Sequence, residues 1–120
     1  MSWEFVPDRA IYLQIVERME REIVAGRYPP GERLPSVREL AAEAGVNPNT
    51  MQRALADLEG RGLVAAQRTS GRIIAADGAR IRALREQLAD REIEAFYEHM
   101  ATLGYGPEDA LARLRKGAET

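Results

Sequence analysis

Between Glu43 and Asp57 the chain carries no acidic residue, and within that interval stand Asn47, Asn49, Thr50, Gln52 and Arg53. These side chains are short or forked hydrogen-bond donors and acceptors, the types that pair with base edges and phosphates in a major groove. If they open a helix, the free N–H groups of its first turn also favour a phosphate. The alternative is an ordinary solvated helix that Asn and Pro merely cap. Covalent chemistry finds no comparable set. The chain has one histidine and no cysteine, no phosphate-cradling glycine loop with its lysine, and no nucleophile beside a base. His99, next to Glu98, reads as a surface histidine rather than a metal ligand or a pH switch. Neither enzymatic activity, a metal nor a cofactor is expected.

The elements that must hold the polar set are legible on either side of it. Ser36 is followed three residues later by Glu39, so each side chain can satisfy the other's backbone N–H at a helix start. A helix should begin at Val37 and bury Leu40, Ala41 and Ala44. Gly45 can take the left-handed conformation that ends it. Eleven residues after Ser36 a second start signal appears, with Asn47 as N-cap and Pro48 at the first helical position. That helix should span residues 48–61, with Met51, Leu55 and Leu58 inward and Val46 plugging the turn. Two abutting capped helices make a helix-turn-helix. Arg38, early in the first of them, can reach a phosphate or base edge; an ion pair with a nearby glutamate is its alternative use.

Upstream, residues 1–8 look like an extended arm. Trp3 favours packing on the chain's own core, with docking on a partner subunit as the other reading. Residues 9–25 place Ile11, Tyr12, Ile15, Val16, Met19 and Ile23 at helical spacing, a scaffold helix that Gly26 stops. Residues 28–35 hold three prolines and a glycine, which precludes a helix through them. Downstream, the apolar segments 63–67 and 72–76 flank a glycine-containing break and read as a β-hairpin. Its tip would be Arg68, Thr69, Ser70, Gly71 and Arg72, placed to lie along phosphates or in a minor groove. The order helix-turn-helix then hairpin is the winged-helix arrangement.

Residues 76–79 read as a hinge into a tail. A long helix is expected over 79–103, with one stripe of Ile81, Leu84 and Leu88 and a displaced stripe of Ile93, Phe96, Met100 and Leu103. Gly104 and Gly106-Pro107 should end it and start a last helix with Ala110, Leu111 and Leu114 on its apolar face. Two such helices cannot fully cover each other, so pairing of two chains through these residues is the economical solution. A helical hairpin folding back on its own winged helix competes with it. The expected architecture is mainly α with a small β-hairpin: an arm (1–8), a winged helix-turn-helix (9–77) and a short C-terminal two-helix dimerisation module (78–120).

The 120 residues, 45% of them hydrophobic, suffice for one small core plus an appendage. No apolar run approaches membrane-spanning length and the first residues do not form a leader, so the reading is cytoplasmic with no membrane partner. A net charge of −2 is low for a protein that meets phosphates, but its distribution is uneven. Residues 61–76 hold Arg61, Arg68 and Arg72 and no acid, whereas Glu17, Glu20 and Glu22 crowd the first helix.

The run IYLQIVERMEREIVAGRYPPGERLPSVRELAAEAGVNPNTMQRALADLEGRGLV resembles the DNA-binding domain of the GntR family of bacterial transcription regulators. The short tail with GYGPEDALARL is similar to the YtrA-type subfamily. The resemblance covers nearly the whole chain. It implies a homodimeric regulator, usually a repressor, on a palindromic operator in double-stranded DNA, often near genes for membrane transport. By position it would give DNA contacts to Arg38, Asn47, Asn49, Thr50, Gln52, Arg53, Ser70 and Gly71. The wing departs from the family pattern of two glycines around a basic residue and a closing Phe-Val, since here Arg68-Thr69-Ser70-Gly71-Arg72 precedes Ile73-Ile74. A small-molecule effector, if there is one, would sit between subunits or between tail and winged helix. A winged helix that binds protein instead of DNA is the competing function.

Overall fold

The computed structural model describes residues 3–68 and 71–119. Thr69 and Ser70, two of the expected wing-tip residues, lie outside them. The elements run α1 (Ile11–Val24), α2 (Val37–Ala44), α3 (Pro48–Gly60), β1 (Val64–Gln67), β2 (Gly71–Ile74), α4 (Gly78–Thr102) and α5 (Pro107–Ala118). The chain divides into two compact units, one ending at Arg85 and the other starting at Glu86. The first therefore includes two turns of α4, among them the fully buried Leu84.

In the first unit α1 buries Ile15, Val16, Met19 and Ile23, the inward face that their spacing predicts. Against it packs α3 through Met51, Ala54, Leu55 and Leu58. Each of these four is at most 1% exposed, so truncating a large one would cost about 2–5 kcal/mol. The arm is part of this core: Trp3 is buried, lies under the Arg18 guanidinium and donates its backbone N–H to the Ala44 carbonyl. Gln14 of α1 holds the arm a second time, through both backbone polar groups of Val6.

The proline-rich connector does more than link. Leu34 N–H donates to the Arg72 carbonyl and Ile74 N–H to the Glu32 carbonyl, and Arg33 bridges Ile73. The prolines at 29, 30 and 35 bracket a segment whose own N–H groups are intact, so it lines the edge of β2 without breaking the rule that proline cannot donate. β1 and β2 pair antiparallel from Val64–Ile74 to Gln67–Gly71. Gly71 has φ +81°, a left-handed conformation suited to glycine as the chain enters β2.

In the second unit, α4 ends at Thr102, Gly104 (φ +91°) lies in the turn that follows, and α5 starts at Pro107 with Glu108 and Asp109 in its first turn and Arg115 and Lys116 in its last. Both charge groups complement the helix dipole. Ala110 is fully buried, and Phe96 meets Tyr97 edge-on with ring centroids 5.5 Å apart. Four large apolar side chains stay in solvent here: Ile93, Leu103, Leu111 and Leu114, with Leu103 70% exposed. Of the other residues expected to pair chains, Ile81, Leu88, Phe96 and Met100 are half-buried. Among the described residues no helix is long and apolar enough to cross a membrane.

Candidate nucleic-acid interface

The start of α2 is held by reciprocal bonds. Glu39 N–H donates to Ser36 Oγ at 3.1 Å, and Ser36 N–H donates to the Glu39 carboxylate at 3.2 Å. Gly45, at φ +74°, closes the helix and donates to the Ala41 carbonyl. Two residues on, Asn47 Oδ1 accepts from Asn49 N–H at 2.7 Å and fixes the start of α3. Helix length, turn and second start are thus all set by local bonds, and together they fix which face of α3 turns outward.

That face carries Asn49, Gln52 and Arg53, all exposed, with Thr50 half-buried at its margin. Three- and four-residue spacing puts Asn49, Gln52 and Arg53 on one side of the helix, opposite the buried Met51, Leu55 and Leu58. Asn47 is exposed, but its carbonyl oxygen is occupied by the cap, so only its amide NH2 remains for a ligand. Arg53 stacks on the Tyr12 ring of α1, guanidinium carbon 3.7 Å from the ring centroid.

The arginines near this edge fall into two groups. Arg61 is tied to Asp57 and to the buried Glu20, and the first of these bonds holds its guanidinium all the more firmly protonated. Arg27 bridges Glu22 and Glu43, with the Glu43 bond the main reason it is held protonated. Arg72 donates through Nε to Glu59 of α3, which ties β2 to the helix and leaves its terminal nitrogens. By contrast Arg38, Arg53 and Arg68 are exposed and form no ion pair among the described residues. Glu39, the obvious partner for Arg38, is committed to the cap.

Arg33 joins this second group, and sequence reasoning missed it. It is exposed, without an ion pair among the described residues, and is set beside the wing by its bridge to Ile73. Only the long-range pairing puts it there; no local pattern announces it. An open groove of about 680 Å³ runs from the connector past the start of α2 to the wing, lined by Arg27, Arg33, Ser36, Glu39, Gly71 and Arg72 among others. Tyr28 lies on its wall. The Tyr28 hydroxyl is buried without a hydrogen-bond partner among the described residues, and burial raises its pKa. Of the remaining expected wing residues, Arg68 and Gly71 are exposed, Gly71 paired with Gln67, and Thr69 and Ser70 fall outside the description. Among the described residues no cluster of His, Asp and Glu could hold a metal.

A helix-turn-helix whose second helix offers an acid-free polar edge, followed by a two-stranded wing, defines the class: a winged-helix DNA-binding domain. Comparison with known proteins gives the family. Residues 11–74 match the family model "Bacterial regulatory proteins, gntR family". The uncharacterized HTH-type transcriptional regulator YhcF of Bacillus subtilis is 34% identical over 99% of this chain and 98% of its own. The HTH-type transcriptional repressor YtrA of the same organism is 36% identical over 72% of each chain. Among solved structures, a GntR family transcriptional regulator from Listeria monocytogenes superposes with a TM-score of 0.83 at 39% identity, over 93% of this chain and 98% of that one. The DNA-binding domain of AraR in complex with operator ORX1 superposes with a TM-score of 0.55 at 25% identity, over 62% of this chain and 95% of that one. The chain therefore belongs to the GntR family and is a transcription regulator with a winged-helix DNA-binding domain, not an enzyme.

Proposed function

We propose that two copies of this chain bind a palindromic operator and repress the genes beside it. The reading helices α3 would enter successive major grooves about one helical turn apart. The observation that carries this is the outward edge of α3. Asn49, Gln52 and Arg53 stand exposed on it with no acid among them, and Arg38 and Arg68 flank it with unneutralised charge. In that pose Gln52 and Arg53 meet base edges, while Arg38, Arg68, the Asn47 amide, Gly71 and the free end of Arg72 lie towards phosphates.

Three findings support the finer points. The AraR domain is seen on its operator, and the likeness spans the winged helix. YtrA, which matches over part of the tail as well, is named a repressor. For the dimer, Ile93, Leu103, Leu111 and Leu114 expose in one small unit the apolar surface that a second copy would cover. A regulated gene for membrane transport is the expectation supplied by the YtrA-type resemblance.

The test is a fluorescence-anisotropy titration of the full chain against duplexes from upstream of its own gene. Gln52→Ala and Arg53→Ala should each weaken binding without lowering the unfolding temperature. Unchanged affinity in both variants would refute the reading. Binding that ignores salt would refute it too and would favour a protein partner for the same surface.

A further inference from the structure

Arg53 differs from every other arginine around the candidate interface in what holds it. Arg27, Arg61 and Arg72 are held by carboxylates, Arg72 through Nε alone, which offset their charge; Arg27 also lies over the Tyr28 ring, but 5.1 Å from its centroid. Arg53 is held by a ring: its guanidinium carbon lies 3.7 Å from the Tyr12 centroid, and no carboxylate pairs with it among the described residues. A guanidinium stacked on an aromatic face keeps its charge. Its five N–H donors are not taken by a carboxylate, and a guanine edge or a phosphate can take two of them.

We infer that Tyr12 of α1 is a positioning residue for DNA recognition, holding the Arg53 guanidinium in its bidentate-ready plane before a duplex arrives. The inference rests on the reading of α3 as the helix that meets DNA. Tyr12 suits the task by its place. It lies in the first turn of α1, half-buried, on a helix clamped to α3 through Ile15, Met19 and Ile23, so the ring cannot drift relative to the arginine it supports. An arginine free in solvent must give up rotamer freedom when it binds; one already stacked gives up less. The position also ties scaffold to specificity. A change in α1, far from any base, would alter how a base is read.

The experiment is a double-mutant cycle in the full chain, using a duplex from upstream of its own gene and a random duplex of equal length. Tyr12→Leu should weaken binding to the first duplex about threefold to tenfold, inside the roughly twofold to thirtyfold range that a cation–π contact spans between exposed and desolvated settings. Tyr12→Phe, which keeps the ring, should stay within about twofold. In an Arg53→Ala background Tyr12→Leu should change affinity by less than about twofold, because the group it positions is gone. Equal losses in both backgrounds would overturn the inference, as would a Tyr12→Phe loss matching that of Tyr12→Leu. A Tyr12→Leu chain that does not fold would overturn it as well, by making the ring a core residue. The unaltered chain gives a second readout: side-chain nitrogen relaxation should show a restricted Arg53 Nε–H before DNA is added, and free rotation there would refute pre-positioning. If the wild-type chain binds no duplex, the functional reading itself fails. If it binds but the cycle is additive, only the role of Tyr12 does.

Discussion

Replacing Arg38 by alanine separates a phosphate contact from every other effect. Arg38 is exposed in the first turn of α2, makes no ion pair among the described residues, and leaves the Ser36–Glu39 cap untouched when shortened. Alanine favours a helix, so folding stability should move by less than about 0.5 kcal/mol. Binding should move more. Arg33, Arg38, Arg53 and Arg68 are the exposed, unneutralised arginines around the interface. If Arg33, Arg38 and Arg68 each meet a phosphate in both halves of a dimer, with Arg53 on a base edge, the logarithm of affinity falls against the logarithm of salt with a slope of about −5. Affinity then drops about 10³-fold between 50 and 200 mM salt. Arg38→Ala removes one contact per protomer, flattening the slope to about −4 and the drop to about 10²-fold. Arg27→Ala is the control, because Arg27 lines the same groove but is neutralised by Glu22 and Glu43. Its slope should match the wild type. Anisotropy titrations at four salt concentrations read all three slopes. A wild-type slope in Arg38→Ala, or an equal flattening in Arg27→Ala, would refute the assignment of phosphate contacts by unpaired charge.

Other outcomes follow from the same structure. Gly45→Ala forces a side chain into φ +74° and should destabilise the first unit by about 1–2 kcal/mol in urea titrations. Tyr28→Phe removes a buried hydroxyl that has no partner among the described residues, and should leave stability unchanged or raise it by about 1 kcal/mol. Burial raises the Tyr28 pKa, so the folded state keeps the proton more tightly than the unfolded chain. Its contribution is fully present below about pH 10 and is lost as pH rises through the folded value. The Phe variant should lack that part of the alkaline decline in melting temperature. Leu103→Glu with Leu114→Glu places charge on two side chains exposed in the single chain, so the fold should survive while light scattering shows monomers. A dimer mass in that variant would exclude this face from the interface.

The scaffold of the interface was legible because it is built from contacts close in sequence. Ser36 with Glu39, Gly45, and Asn47 before Pro48 each act within a few residues, and a propensity argument reaches that far. The hairpin could be read from two apolar stretches around a glycine. Where segments distant in sequence meet, the pattern went silent. The connector, read as a non-helical stretch, bonds to β2, because proline content says where a helix cannot run but not which edge an extended segment will line. For the same reason neither the Arg33 bridge to Ile73, the Arg72–Glu59 pair nor the stack of Arg53 on Tyr12 was visible. In the tail, periodicity grouped Leu84 with Ile81 and Leu88, yet Leu84 alone of the three is fully buried, since a stripe does not tell which neighbour covers it.

The most direct test of the account is a hydroxyl-radical footprint of the full chain on the region upstream of its own gene. Two protected patches related by an inverted repeat, with half-site centres about one helical turn apart, are expected for two α3 edges presented by one dimer. Both patches should vanish together in Leu103→Glu with Leu114→Glu. A single patch, protection without symmetry, or none on any upstream fragment would contradict it.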